Sequence, residues 1–210
     1  MINKIEKPRN QKDSIVDESI KLFLWKGYHA TSMDDISASV GLKKGSIYHY
    51  FTGKEAILRQ CVLIPLQTSL DLIKEVIEKE ASPAEKLRQA IHVQIRIIHE
   101  HPELFIAVQE NFDLLLDVEL RDEVVRLQTE YEKMFQAVVT TGIENGQFRA
   151  DLSPRIVSYG ILGMCNWMFR WYKRDGVLTS SQIADQFCAL MTGGILQGSQ
   201  SSPAADTTRT

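Results

Sequence analysis

The sequence predicts an all-α protein with a small three-helix unit at the N-terminus and a larger helical body after it. Three observations carry that prediction. Apolar residues recur three and four apart along most of the 210 residues, the spacing of one face of a helix. Gly and Pro interrupt that pattern where helices end and begin. No alternating stretch is long enough to make a strand. A content of 44% hydrophobic and 24% charged residues is enough to bury a core and excludes wholesale disorder.

The elements follow in order. Residues 1–11 are mostly polar and read as a flexible arm. From Lys12, the residues Val16, Ile20, Phe23 and Leu24 mark one face of a helix that Gly27 terminates. Thr31 is placed as the N-cap of the next helix, with Asp34 complementing its dipole. Met33, Ile36 and Val40 then face one way. Gly41 interrupts, a short helix covers about 43–50, and Thr52-Gly53 precede a much longer helix opening at Lys54-Glu55. Further helices carry Leu87 to Ile98, Leu104 to Leu115, Val124 to Val139, Pro154 to about Lys173, and Ile183 to Ile195, the last capped by Ser180 or Ser181. From Gly198 the chain is rich in Ser, Thr and Ala, which predicts a disordered tail at 198–210. The expected organisation is therefore an arm at 1–11, a three-helix unit at 12–56, a helical body at 57–197 and the tail.

Composition excludes several classes of function. The formal net charge is −3, which argues against a uniformly polybasic nucleic-acid binder. Divided at residue 59 it becomes +3 and −6, a basic head on an acidic body. Phosphate attraction acts over a Debye length of about 8 Å, so a local basic surface suffices for DNA. Cys61, Cys165 and Cys188 are widely separated, with no Cys-x-x-Cys pair, and read as buried thiols in a reducing cytoplasm. His92, His99 and His101 lack the spacing of metal ligands, so no metal is expected. No Ser/His/Asp set or Gly-rich phosphate loop is present, and neither a catalytic role nor a cofactor is expected. No run approaches the roughly 20 apolar residues of a membrane span, and the charged N-terminus does not suit a signal peptide.

The short helices at about 32–39 and 43–50, joined through Val40-Gly41-Leu42, have the layout of a helix-turn-helix, in a homeodomain-like three-helix arrangement. Ile36, Val40, Ile47 and Phe51 are placed against the Ile20/Phe23/Leu24 face. The second short helix then presents Lys43, Lys44, Ser46, Tyr48, His49 and Tyr50, a mixture of cations, hydroxyls and aromatics suited to phosphates and base edges.

Gly27-Tyr28-His29-Ala30-Thr31-Ser32, Asp35-Ile36, Val40-Gly41-Leu42, Lys44-Gly45-Ser46-Ile47-Tyr48-His49-Tyr50-Phe51 and Lys54-Glu55 together resemble the TetR family of bacterial transcriptional repressors, over about 48 residues. The resemblance implies that Thr31, Lys44, Ser46, Tyr48, His49, Tyr50 and Lys54 lie at or near DNA. In that reading Lys54 clamps a phosphate together with the dipole of its helix, Tyr48 touches backbone or a thymine methyl, and Lys44 and His49 read bases.

A helix-turn-helix contacts few base pairs, so a homodimer on a palindromic double-stranded operator is expected, its half-sites about 34–36 Å apart or a multiple. Gly160, Gly163, Ala189, Gly193 and Gly194 permit close helix approach in the last two helices, beside Trp167, Met168, Phe169, Trp171 and Phe187. The family resemblance points to the same pair of helices.

For a small-molecule effector, apolar or amphipathic, the candidates are polar residues on apolar faces: Gln94, Asn111, Gln128, Asn166 and Arg170, with Trp167 beside them. Gly163-x-x-Asn166-Trp167-x-x-x-Trp171-Tyr172-x-x-Asp175-Gly176 resembles the C-terminal segment of TetR-type regulators of fatty-acid or sterol degradation, which implies an acyl-CoA effector. The alternative is a DNA-bound protein whose body recruits another protein, favoured if Gln94, Asn111 and Gln128 pack tightly on each other.

Overall fold

A computed structural model of the chain describes residues 10–100 and 118–196. Asn111, His101, the predicted helix through Leu104 and Leu115, most of the predicted arm and the predicted tail lie outside them.

Nine helices are described: α1 Gln11–Lys26, α2 Met33–Val40, α3 Lys44–Tyr48, α4 Lys54–Glu78, α5 Pro83–Glu100, α6 Val118–Glu144, α7 Pro154–Asn166, α8 Met168–Trp171 and α9 Ser180–Ile195. The described residues contain no strand, only an isolated bridge between Phe148 and Leu196.

The head is α1 to α3 with the start of α4. Asn10 caps α1, its side chain accepting from the Asp13 amide at 2.9 Å. Gly27 ends the helix at φ 87°, a value that favours glycine. The N-cap of α2 is Ser32, one residue later than Thr31: its hydroxyl accepts from the Asp35 amide while the Asp35 carboxylate accepts from the Ser32 amide. Thr31 is unavailable for capping because it is buried, and its hydroxyl donates to the Gly27 carbonyl at 2.8 Å. Gly41 joins α2 to α3 in the left-handed conformation, φ 72°. Ile15, Val16, Ile20, Ile36, Ile47, Phe51, Ile57 and Cys61 form the head core, with Phe23, Leu24 and Val40 packed against it, which is the arrangement expected of the helix-turn-helix.

The body core brings together Ile73 and Val76 of α4, Leu87, Ile91, Ile95 and Ile98 of α5, Phe135 and Val139 of α6, Ile161 and Cys165 of α7, and Ile183 of α9. Helix α4 thus contributes to both cores. A third cluster, Val62 with Leu120 and Val124, joins α4 to α6 between them, and beside it Arg59 donates to Glu123. By length and hydropathy α4 would suffice to cross a membrane, although Gln60, Gln67, Thr68 and Ser69 interrupt its apolar run. Its buried residues serve protein cores instead.

Two boundaries differ from expectation near the C-terminus. The helix from Pro154 is interrupted at Trp167, so that Trp167 turns outward while Met168 is buried. The cap of α9 is Thr179, in a capping box with Gln182, and not Ser180 or Ser181. The three cysteines are free and buried; burial raises all three thiols, Cys165 to about 12 and Cys188 to about 11.

Candidate functional site

Helix α3 is five residues long and too short to hold itself in water. It is anchored through Ile47, which is fully buried, and through Phe51 just after it. With that side committed to the core, Lys43, Lys44, Tyr48, His49 and Tyr50 are left exposed and Ser46 half-buried. Gly45 is exposed in the same helix, with no atom near the place a Cβ would take, so the backbone itself can approach a partner closely.

Acidic side chains of α2 orient the cations around this surface. Lys44 Nζ lies 2.8 Å from Asp34 and Lys26 Nζ lies 2.7 Å from Asp35. Lys26 and the Ser32 cap together hold the Asp35 carboxyl well below the usual carboxylate range. Both pairs are solvent-exposed, so their value is in orientation and not in stability.

Two of the residues assigned to DNA by resemblance have hydrogen-bond partners within the chain. Thr31 is 1% exposed and its hydroxyl is used inside the turn. Lys54 points its ammonium into the 28–31 turn, donating to the Tyr28 and Thr31 carbonyls at 2.8 Å each, with the His29 carbonyl at 3.5 Å. The same ammonium lies 4.4 Å from the centre of the Tyr28 ring. Tyr28 is itself buried, and burial beside Glu55 pushes its hydroxyl up to about 12.

In the body, Gln94 of α5 donates to Asn166 of α7 at 2.7 Å and accepts from the hydroxyl of Tyr131 of α6. A hydrogen-bonded chain from three helices therefore crosses an apolar interior. Its spacing places Tyr131 with Val124 and Phe135 on an apolar face and not in the site; the available signal is that a buried tyrosine hydroxyl needs a partner. Burial strongly raises its pKa, so it acts as a neutral donor.

Among the described candidates, Gln128 and Trp167 make no hydrogen bond to that chain. Gln128 is half-buried on α6. Trp167 is 60% exposed, and the Arg170 guanidinium lies 5.4 Å from the Trp167 ring and 5.6 Å from the Phe169 ring on the outer surface. Trp167 and Arg170 thus stand exposed, whereas Gln94 is buried and bonded to Asn166.

Around Trp167 the outer surface has its own character. Ile156, Tyr159, Trp171 and Leu190 are exposed together with Gly160, Gly163, Ala189, Gly193 and Gly194. Nothing within the chain lies within 4 Å of where a Cβ would stand on any of those four glycines.

Comparison with known proteins places both halves. Residues 15–61 match the family described as bacterial regulatory proteins, tetR family, and residues 80–195 match the tetracyclin repressor-like C-terminal domain. The chain is 30% identical to the HTH-type transcriptional repressor KstR2 of Mycolicibacterium smegmatis, over 90% of this chain and 93% of that protein. The solved structure of the ketosteroid transcriptional regulator KstR2 of Mycobacterium tuberculosis is similar with a TM-score of 0.82 at 25% identity, covering 91% of this chain and 98% of that one. AibR, solved in complex with isovaleryl coenzyme A and operator DNA, shares the fold with a TM-score of 0.75 at 24% identity, over 86% and 97% of the two chains.

Proposed function

Because this chain belongs to the TetR family of helix-turn-helix transcriptional repressors, we propose that two copies of it read a palindromic operator and leave it when an amphipathic ligand enters the body. The α3 surface supplies the contacts: Lys43 and Lys44 for phosphates, with Lys44, Ser46, Tyr48, His49 and Tyr50 at or near base edges. The faces of α7 and α9 around Gly160, Gly163, Gly193 and Trp167 make the dimer. Exposed apolar area and glycines together allow two helix pairs to pack closely.

The observation that carries the ligand reading is the Tyr131–Gln94–Asn166 chain. An apolar interior with a few convergent polar groups is the composition of a ligand site, and a carbonyl or hydroxyl of a ligand could exchange with any of these bonds. AibR was solved with isovaleryl coenzyme A, which supports an acyl-CoA as the effector class. Gln94 engages Asn166 and Tyr131, which does not favour the alternative of a body packed solely for a protein partner. The ligand shifts the operator equilibrium only by its differential affinity for the two spacings of the recognition helices.

The test uses duplex DNA selected from a random pool by the full chain, followed by a titration of acyl-CoA thioesters of increasing length. We expect a two-fold symmetric site, release by at least one thioester and a rise in Tm with the same compound. If no thioester raises Tm while an unrelated amphiphile does, the acyl-CoA class is wrong.

A further inference from the structure

Asp34 and Asp35 stand side by side at the start of α2 and are used differently. Asp35 closes the Ser32 capping box and pairs with Lys26. Asp34 instead reaches across to α3, its carboxylate 2.8 Å from the Lys44 ammonium. Both side chains of this pair stay in solvent, 70% exposed at Asp34 and 47% at Lys44. An exposed ion pair adds little to stability, so the fold does not account for a carboxylate at this place. Its surroundings do. An anion in hydrogen-bond contact with a cation of the recognition surface lies on that surface itself, where a polyanion is to dock.

We propose that Asp34 is a specificity-determining residue: it cancels the charge of Lys44 on DNA of arbitrary sequence and lets the pair be satisfied only at the operator's base edges. This rests on the reading of α3 as the DNA-binding surface. On any duplex a phosphate approaching Lys44 also approaches Asp34, well inside the Debye length of about 8 Å, so attraction and repulsion offset. Counterion release then gains nothing from Lys44. A base edge differs. In the major groove Lys44 can donate to guanine O6 and N7, while the exocyclic amine of a neighbouring cytosine or adenine can donate to Asp34. Those groups are present only in the right sequence and register, whereas phosphates are present everywhere. Asp34 therefore converts a cation that would bind all DNA into one that rewards the operator, which is discrimination by penalising the wrong partner. The small charge of the head, +3 over residues 1–59, already limits indiscriminate binding, and the pair limits it further where bases are read.

A salt titration on two duplexes tests this. Each phosphate neutralised adds about 0.9 to the slope of log K against log salt, which at about 0.15 M salt is about fivefold in affinity. We would measure binding of the full-length chain and its variants to the selected duplex and to a scrambled duplex of equal length. For Asp34→Asn we expect about fivefold tighter binding to the scrambled duplex and a slope steeper by about 0.9, with the selected duplex changed by less than about twofold. Lys44→Gln leaves Asp34 unpaired and should weaken the scrambled duplex by about fivefold, and the selected duplex by more. Asp34→Asn combined with Lys44→Gln should return the scrambled duplex to wild-type affinity, since neither charge remains. Asp34→Ser supplies the same comparison if the Asn variant does not fold. Glu18→Gln removes the acid of the exposed Glu18–Lys21 pair on α1; it is the control for net charge and should leave both duplexes unchanged. Scrambled-duplex binding unchanged in both Asp34 variants overturns the proposal, as does an equal gain on both duplexes or the same gain from Glu18→Gln. Failure of the wild type to select any duplex would instead refute the DNA reading itself.

Discussion

The head and the body are both helical and both apolar inside, but they treat polar groups in opposite ways. In the head, the polar side chains around the recognition surface either face outward from α3 or close short loops, as Thr31, Ser32 and Lys54 do. In the body, a polar chain of Tyr131, Gln94 and Asn166 runs through the interior from three different helices. The difference follows from size and task. A small unit with one core cannot hide polar groups that it must present to DNA, whereas a larger one can enclose a few and satisfy each with another.

The contrast breaks most readily at the anchor of α3. Ile47→Ala removes the fully buried side chain that, with Phe51, fixes the five-residue helix, at a cost of about 2–5 kcal/mol. Operator binding should be lost while sedimentation still reports a dimer, because the proposed dimer faces lie on α7 and α9. Loss of the dimer as well would show that head and body do not fold as separable units. In the body, Gln94→Leu leaves the Tyr131 hydroxyl without its acceptor in an apolar setting, costing about 1–3 kcal/mol. A lowered Tm with operator affinity preserved is the expected result; altered operator affinity would place the polar chain in the path between ligand and DNA.

A smaller effect of opposite sign tests the head's own interior. Ser19 on α1 is fully buried and its hydroxyl has no hydrogen-bond partner among the described residues. Ser19→Ala should therefore stabilise the head by about 1 kcal/mol, measured as a higher urea midpoint. A lower midpoint would mean that the hydroxyl is satisfied.

The smallest expected effect is electrostatic and lies in the body. Hydrogen bonds from Arg88, and then from Gln89, lower the Glu85 carboxyl from 4.5 to about 2. A depressed carboxylate contributes stability above its unfolded pKa and loses it as pH falls, here between about 4.5 and about 2. Because the Glu85–Arg88 pair is partly exposed to solvent, screening makes the contribution small. The Tm of Glu85→Gln should fall less steeply across that window than that of the wild type.

How much of this could be read from the sequence differs between the two regions. The head was legible almost to the residue. Helical spacing placed Ile20, Ile36, Ile47 and Phe51 inward and left Lys43, Tyr48 and His49 outward, as observed. The body's helices and the glycine-bearing faces of α7 and α9 were legible as well. Gln94 and Asn166 stood out as polar groups on apolar faces, although nothing in their spacing said that they would bond to each other and to Tyr131.

The sequence by itself determined the all-α class, the three-helix head and the split of charge between head and body, because each follows from a local period or a local sum. Only the tertiary structure decided that Thr31 and Lys54 find partners within the chain and that Trp167 and Arg170 stand exposed while Gln94 is buried and bonded to Asn166. A position along a helix sets the direction in which a side chain leaves the axis. What stands opposite depends on helices distant in the chain, and that decides whether a polar atom meets water, a carbonyl or another side chain.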